Sequence, residues 1–225
     1  PKLKIGFSPF GLISQQVDFT FYLKGSKGDL SGKFRQEAEE MELALDFSYF
    51  PISDLKFLTN KAKVGLRGIL QGTVNLKLNR GDTSKNDGKI DLGFENLTMD
   101  ATKISLDPNS PEASMDIPEL KLSGPKGSGI KGDVKKEDLT FSSITLTGGD
   151  LNLDLDGKVS MVGPNSGDYR LALQGGFKVS ESLAKALPIL GFLEQQKNSE
   201  GIYPLNISGR LGTPQIKVGK FPLAI

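Results

Sequence analysis

Gly149-Asp150-Leu151-Asn152-Leu153-Asp154-Leu155-Asp156-Gly157-Lys158-Val159-Ser160-Met161 is the stretch that decides the fold. Leu151, Leu153, Leu155, Val159 and Met161 take odd positions, and Asn152, Asp154, Asp156, Lys158 and Ser160 lie between them. That is the period of a strand with one dry face and one wet face. After the turn-rich Val162-Gly163-Pro164-Asn165-Ser166-Gly167, the parity resumes with Tyr169, Leu171, Leu173, Phe177 and Val179 against Asp168, Arg170, Gln174 and Lys178. The two runs read as an antiparallel hairpin with its odd positions on one side. One register puts Leu155 opposite Gly175 and Gly157 opposite Leu173, large against small, although a slip of two residues would keep the same face.

The same grammar extends outward in both directions. Val17, Phe19, Phe21 and Leu23 alternate with polar residues, Gly25-Ser26-Lys27-Gly28-Asp29 reads as a hairpin turn, and Leu30, Gly32 and Phe34 begin the return. Gln36–Glu40 favours helix by propensity, but Met41, Leu43, Leu45, Phe47 and Tyr49 alternate beyond it, and the longer periodic signal takes precedence. Pro51-Ile52-Ser53-Asp54 then suggests a short helix with Leu55, Leu58 and Ala62 on one face. Gly68–Leu78 is a strand again, Gly81–Gly88 a polar turn, and Ile90, Leu92 and Phe94 start another strand. The parity flips at Glu95-Asn96, since Leu97 and Met99 are odd, and a bulge there would keep them on the dry face. Asp107–Glu112 reads as a loop, Met115–Leu122 with its Pro118 suits an edge strand, and Ile130–Val134 and Leu139–Thr147 are strands. Ser180 is a good N-cap for a helix through Leu183, Ala186 and Leu187. Pro188 should break it before a second turn carrying Leu190 and Leu193. Ile202–Leu211, then Ile216 and Val218, close the series.

An aliphatic face on so many strands must be covered. Each Leu, Val or Phe left in water forfeits about 1.5–3 kcal/mol, so roughly ten of them would outweigh the ~5–15 kcal/mol by which a domain is stable. Two short helices are too small a cover. The expected fold is therefore mainly β, a long curled antiparallel sheet (a half-pipe, taco or flattened barrel) with one or two short helices over an open end. Nothing divides residues 1–225, so one β-rich domain is expected. The apolar lining is placed at Leu151, Leu153, Leu155, Val159, Leu171, Leu173 and Phe177, and the covering helix at Leu183, Leu187, Leu190 and Leu193. Such a lining suits a dry core and acyl chains alike.

Composition narrows the chemistry. The chain has no His and no Cys, which removes the usual physiological-pH acid–base residue, the commonest metal ligand, thiolate nucleophiles and disulfides. Lys plus Arg number 28 against 27 Asp plus Glu, so net charge points to no polyanionic partner and no nucleic acid. No run approaches the ~18 apolar residues of a membrane-spanning helix.

The remaining motifs each have a plainer reading. Asn152, Asp154, Asp156 and Gly157 imitate half of an EF-hand loop, but alternate carboxylates on a straight strand do not converge, and Gly163 stands where the closing Glu belongs. Gly127-Ser128-Gly129-Ile130-Lys131-Gly132 matches GxGxxG without a following helix, and reads as a flexible loop. Glu37, Glu39 and Glu40 are a solvated charge run rather than a glycosidase pair. Lys121, Lys126, Lys131, Lys135 and Lys136 are diluted by Asp133, Glu137 and Asp138 and lack interleaved aromatics. Asn96-Leu97-Thr98 and Asn206-Ile207-Ser208 match a glycosylation sequon, as polar strand residues often do. No catalytic residue, metal site or cofactor is expected.

The C-terminal third also carries a likeness. Gly148–Val159, Tyr169-Arg170-Leu171-Ala172-Leu173, the Leu-rich Ser182–Leu193 and Gly201-Ile202-Tyr203-Pro204-Leu205-Asn206-Ile207-Ser208-Gly209-Arg210-Leu211-Gly212-Thr213-Pro214-Gln215-Ile216 resemble, in that order, the type II secretion system protein N of diderm bacteria, in its AsmA-like branch. Ile207–Pro214 is similar to the strand and Gly-x-Pro turn of AsmA and TamB relatives. The resemblance extends back through Leu43–Leu78. It implies a non-enzymatic periplasmic domain held at the inner membrane by an N-terminal helix outside this sequence, acting as a scaffold among the other envelope proteins of the secretion apparatus. Its alternative implication is an AsmA-like trough that carries lipid acyl chains between membranes.

Overall fold

The computed structural model describes residues 2–7, 16–55, 64–105, 114–162, 166–187 and 189–223. The strands are β1 (Lys2–Phe7), β2 (Gln16–Lys24), β3 (Asp29–Glu37), β4 (Glu40–Pro51), β5 (Leu66–Asn79), β6 (Asp87–Met99), β7 (Thr102–Ser105), β8 (Ser114–Ile117), β9 (Leu120–Lys121), β10 (Ser128–Lys135), β11 (Asp138–Leu146), β12 (Leu151–Ser160), β13 (Arg170–Val179), β14 (Tyr203–Arg210), β15 (Thr213–Val218) and β16 (Phe221–Leu223). Two short helices, α1 (Glu181–Ala186) and α2 (Ile189–Leu193), lie between β13 and β14.

Fourteen strands form one antiparallel sheet in the order β1 to β6, then β10 to β16, with β9 beside the end of β6, while β7 and β8 form a separate ribbon. The sheet does not close on itself, and β1 and β16 are its edges. It is curled. Met41 and Leu78 of the β4–β5 wall and Met161 and Tyr169 of the β12–β13 connection line one cavity of about 430 Å³. In a flat sheet, β4 and β13 would stand about 29 Å apart, six steps of roughly 4.8 Å.

The deciding hairpin pairs Leu155 with Gly175 and Gly157 with Leu173. Gly157 (φ +132°) and Gly175 (φ +149°) adopt backbone that L side chains rarely take. A Cβ on either would stand 2.1 or 2.0 Å from a carbonyl of the facing strand, Ala172 O or Asp154 O. The small residues are therefore required by the backbone as well as by the facing leucines.

Register shifts keep apolar residues on the inner face. The bulge expected at Glu95-Asn96 is present: Asn96 has φ +50°, the β5–β6 register shifts opposite it, and Leu97 is buried. A second bulge corrects the reading of β4. Tyr49 does not continue the inward series; it has φ +49° and is 57% exposed, and Phe50 takes the inward place with no exposure. A third shift between Phe141 and Ile144 turns Leu146 toward the core.

Other expectations also change. Met115–Leu122 is two strands split at Pro118, which cannot donate to a ladder. All of Gly127–Gly132 but Gly127 lies within β10, so it is neither a flexible loop nor a phosphate cradle. The Pro51 segment begins with a 3-10 turn, Ile52–Asp54, whose Ile52 and Leu55 are buried; Leu58 and Ala62 lie outside the described residues, as do the Asp107–Glu112 loop and Pro188. Strand β16 follows a turn at Gly219 and Lys220 that the alternation did not signal.

Gly157→Ala and Gly175→Ala should each lower unfolding free energy by about 1–3 kcal/mol, read as a fall in the urea midpoint. Gly167→Ala, with nothing within 4 Å of its added Cβ, should change little.

Candidate functional site

The concave side of the sheet has two unlike ends. At the upper end, where β2, β4, β6, β11, β13 and β15 finish, lie both buried clusters. One joins Leu30, Phe47, Phe50, Ile52, Leu55, Leu70 and Leu97. The other joins Ile117, Leu120, Leu183, Leu190, Leu193, Tyr203 and Val218. Leu122 packs against both and so links them.

The segment Leu120–Gly124 plugs the upper end where β10 is too short to continue beside β6. Leu122 and Ser123 donate their N–H groups to Leu97 O, Asn96 N–H donates to Gly124 O, and Gly124 N–H donates to Thr147 O. Ser123 is fully buried, its Oγ accepting from Leu97 N at 2.8 Å. Asp150 ties the plug to the helices: one carboxylate oxygen accepts from Lys121 N at 3.0 Å and the other from Ser180 Oγ at 3.0 Å. Ser180 caps α1 by accepting from Leu183 N at 3.2 Å.

Leu183, Leu190 and Leu193 are buried beneath α1 and α2, and Leu187 packs against the same cluster. A polar latch holds this cover down. Tyr203 has no exposure, stacks on Phe177 at 4.9 Å and donates its hydroxyl to Glu194 Oε1 at 2.8 Å. Lys197 Nζ donates to the same oxygen at 2.8 Å and lies 4.9 Å from the Tyr203 ring centre. Lys197 first, then Tyr203, holds the Glu194 carboxyl below its ordinary value, while burial pushes the Tyr203 hydroxyl up.

At the lower end the same inward parity continues without a comparable seal. Leu155 and Leu173 are buried near mid-strand; of the lining inferred from sequence, Val159 and Leu171 lie below them and are half-buried, whereas Leu151, Leu153 and Phe177, also half-buried, lie on the upper side. Phe19, Phe34, Met41, Leu43, Leu76 and Leu78 on the facing wall are half-buried too, and Val17 is exposed. This wall carries the alternation that marks β12 and β13, yet the lining inferred from sequence omitted it. Asparagines brace the rim beside the cavity: Asn79 N–H donates to Asn86 Oδ1 at 2.6 Å, Asn86 Nδ2 donates to Lys136 O at 2.8 Å, and both residues are buried.

The polar motifs lie on the outer face. Asn152, Asp154 and Asp156 are exposed along β12, and among the described residues no group of His, Cys, Asp or Glu is set to hold a metal. Lys131 and Lys135 pair with Asp91 and Asp87 across to β6, which breaks up the lysine-rich region. Glu37 pairs with Arg35 at 2.7 Å, and Glu39 and Glu40 are exposed at the β3–β4 turn. No helix among the described residues is long and apolar enough to cross a membrane.

Leu193→Ala should cost about 2–5 kcal/mol, and Leu43→Ala in the open half no more than about half as much, both measured by urea unfolding. The latch contributes fully above the unfolded carboxylate pKa and loses that contribution as pH falls through the lowered folded value. Glu194→Gln should therefore flatten the acid limb of a stability–pH profile. Compared with protein-family models, curated proteins and solved structures, the chain matches none of them.

Proposed function

We propose that this chain is a non-enzymatic component of the type II secretion apparatus, a partner-binding scaffold on the periplasmic face of the bacterial inner membrane. The observation that supports this reading is the open curled sheet, which among the described residues keeps two unpaired edges and a concave face with buried clusters at one end. Closing a barrel would have removed the edges. A scaffold uses them, because unpaired backbone groups and adjoining apolar side chains are what a partner's chain can complete. The resemblance of the C-terminal third supplies the secretion context. Affinity capture of the tagged protein from cross-linked envelopes should recover other secretion components, and recovery of none of them would overturn the proposal.

A second reading is favoured by the half-buried lower lining: an AsmA-like trough that holds acyl chains between the envelope membranes. The walls offer Phe34, Met41, Leu43, Val159 and Leu171, which belong to neither buried cluster among the described residues, and each methylene they shelter gains about 0.8 kcal/mol. Native mass spectrometry of gently purified protein should show lipid adducts, and Leu43→Asp should remove most of them. Adduct-free protein would exclude this reading and leave the scaffold proposal standing.

A further inference from the structure

We propose that β1 is the docking edge and that its occupant is an extended segment of a partner protein in which apolar residues alternate with acidic ones. This rests on the scaffold reading and names the chemistry of its partner. The two edges of the sheet are built differently. β16 is three residues long and carries Pro222, two features that blunt an edge. β1 is six residues long, contains no Pro, and has no strand on its outer side among the described residues. Its inward side chains, Leu3 and Ile5, are 58% and 50% exposed, although they continue the row that Leu23 and Phe21 begin on β2. A strand added beside β1 would extend the apolar face by one row and cover them.

Charge on the outer face decides the kind of strand. Lys4 lies across from Tyr22, and Lys24 and Lys33 flank that row on β2 and β3. None of these three lysines has an acidic partner among the described residues. Further along the same face, by contrast, Lys77, Lys131, Lys135 and Lys158 are paired with carboxylates. Lys4, Tyr22 and Lys33 also line a groove of about 800 Å³ that runs from β1 to β5 over small residues at Gly6 and Ala44, with its one carboxylate, Asp46, on β4, three strands from the edge. An added strand with acids on its outward positions would place them beside Lys4, where opposite charges stabilise a cross-strand pair. A second copy of this chain would instead bring its own unpaired lysines to the seam, and like charges there are unfavourable.

The test uses the whole chain in native envelopes, with benzoylphenylalanine placed at Tyr22, next to the edge strand, or at Tyr49, an exposed control on β4. Irradiation should give a protein adduct at Tyr22 and little at Tyr49, with the cross-linked peptide alternating apolar and acidic residues. Lys4→Glu should lower that adduct about tenfold, while circular dichroism and the urea midpoint of the variant remain unchanged. A Tyr22 adduct with another copy of the chain, equal adducts at both positions, or no adduct would overturn the proposal. Recovery of secretion components by affinity capture from the same envelopes would then show that only the edge assignment had failed.

Discussion

A single constraint organises this molecule: every strand must keep its apolar residues on the concave side, over runs longer than an undisturbed two-residue period can serve. A one-residue slip in any strand would expose a whole row. The chain meets this by placing register shifts at Tyr49, Asn96 and the Ser142-Ser143 pair, so that Phe50, Leu97 and Leu146 turn inward. Non-glycine residues with φ near +50° cost energy, and the burial of Phe50 and Leu97 in the same cluster offsets it.

The concave side that results is treated unequally along its length. Fourteen buried apolar residues in two clusters occupy the upper end, bound by the Leu120–Gly124 plug and the helical cover. Of the polar bonds there, the one between Asp150 and Ser180 spans the β12–β13 hairpin, and the one between Glu194 and Tyr203 joins the end of the cover to the start of β14. They fix the cover in place, and the apolar contacts supply most of the stability. The lower end has the same parity, and among the described residues its lining is half-buried with neither plug nor cover.

Much of the sheet was legible in the sequence because period-two alternation is a local signal. The observed β12–β13 register is the one that pairs large inward residues with glycines, which alternation allowed alongside a slip of two, and the Asn96 bulge followed from a flip in parity. What alternation cannot reveal is a shift that leaves an aromatic residue at the expected parity, as Tyr49 does, or pairing at a distance, as in the plug. Leu120-Lys121-Leu122 reads as the end of an edge strand, but its partners, Leu97 and Asp150, are set by the fold. The trough's second wall was visible as strands, but only the curl of the sheet brings Met41 opposite Met161.

Apart from the junction where β6 meets both β9 and β10, each strand of the main sheet pairs with the strands before and after it in the chain. Such a meander behaves like a ruler with interchangeable divisions. Inserting or deleting one whole hairpin away from the junction preserves direction, facing and register in the rest, whereas a lone strand would reverse everything downstream. The span of the molecule is thus adjustable in steps of about 10 Å, two strand spacings, and evolution can change its reach without redesigning its cross-section.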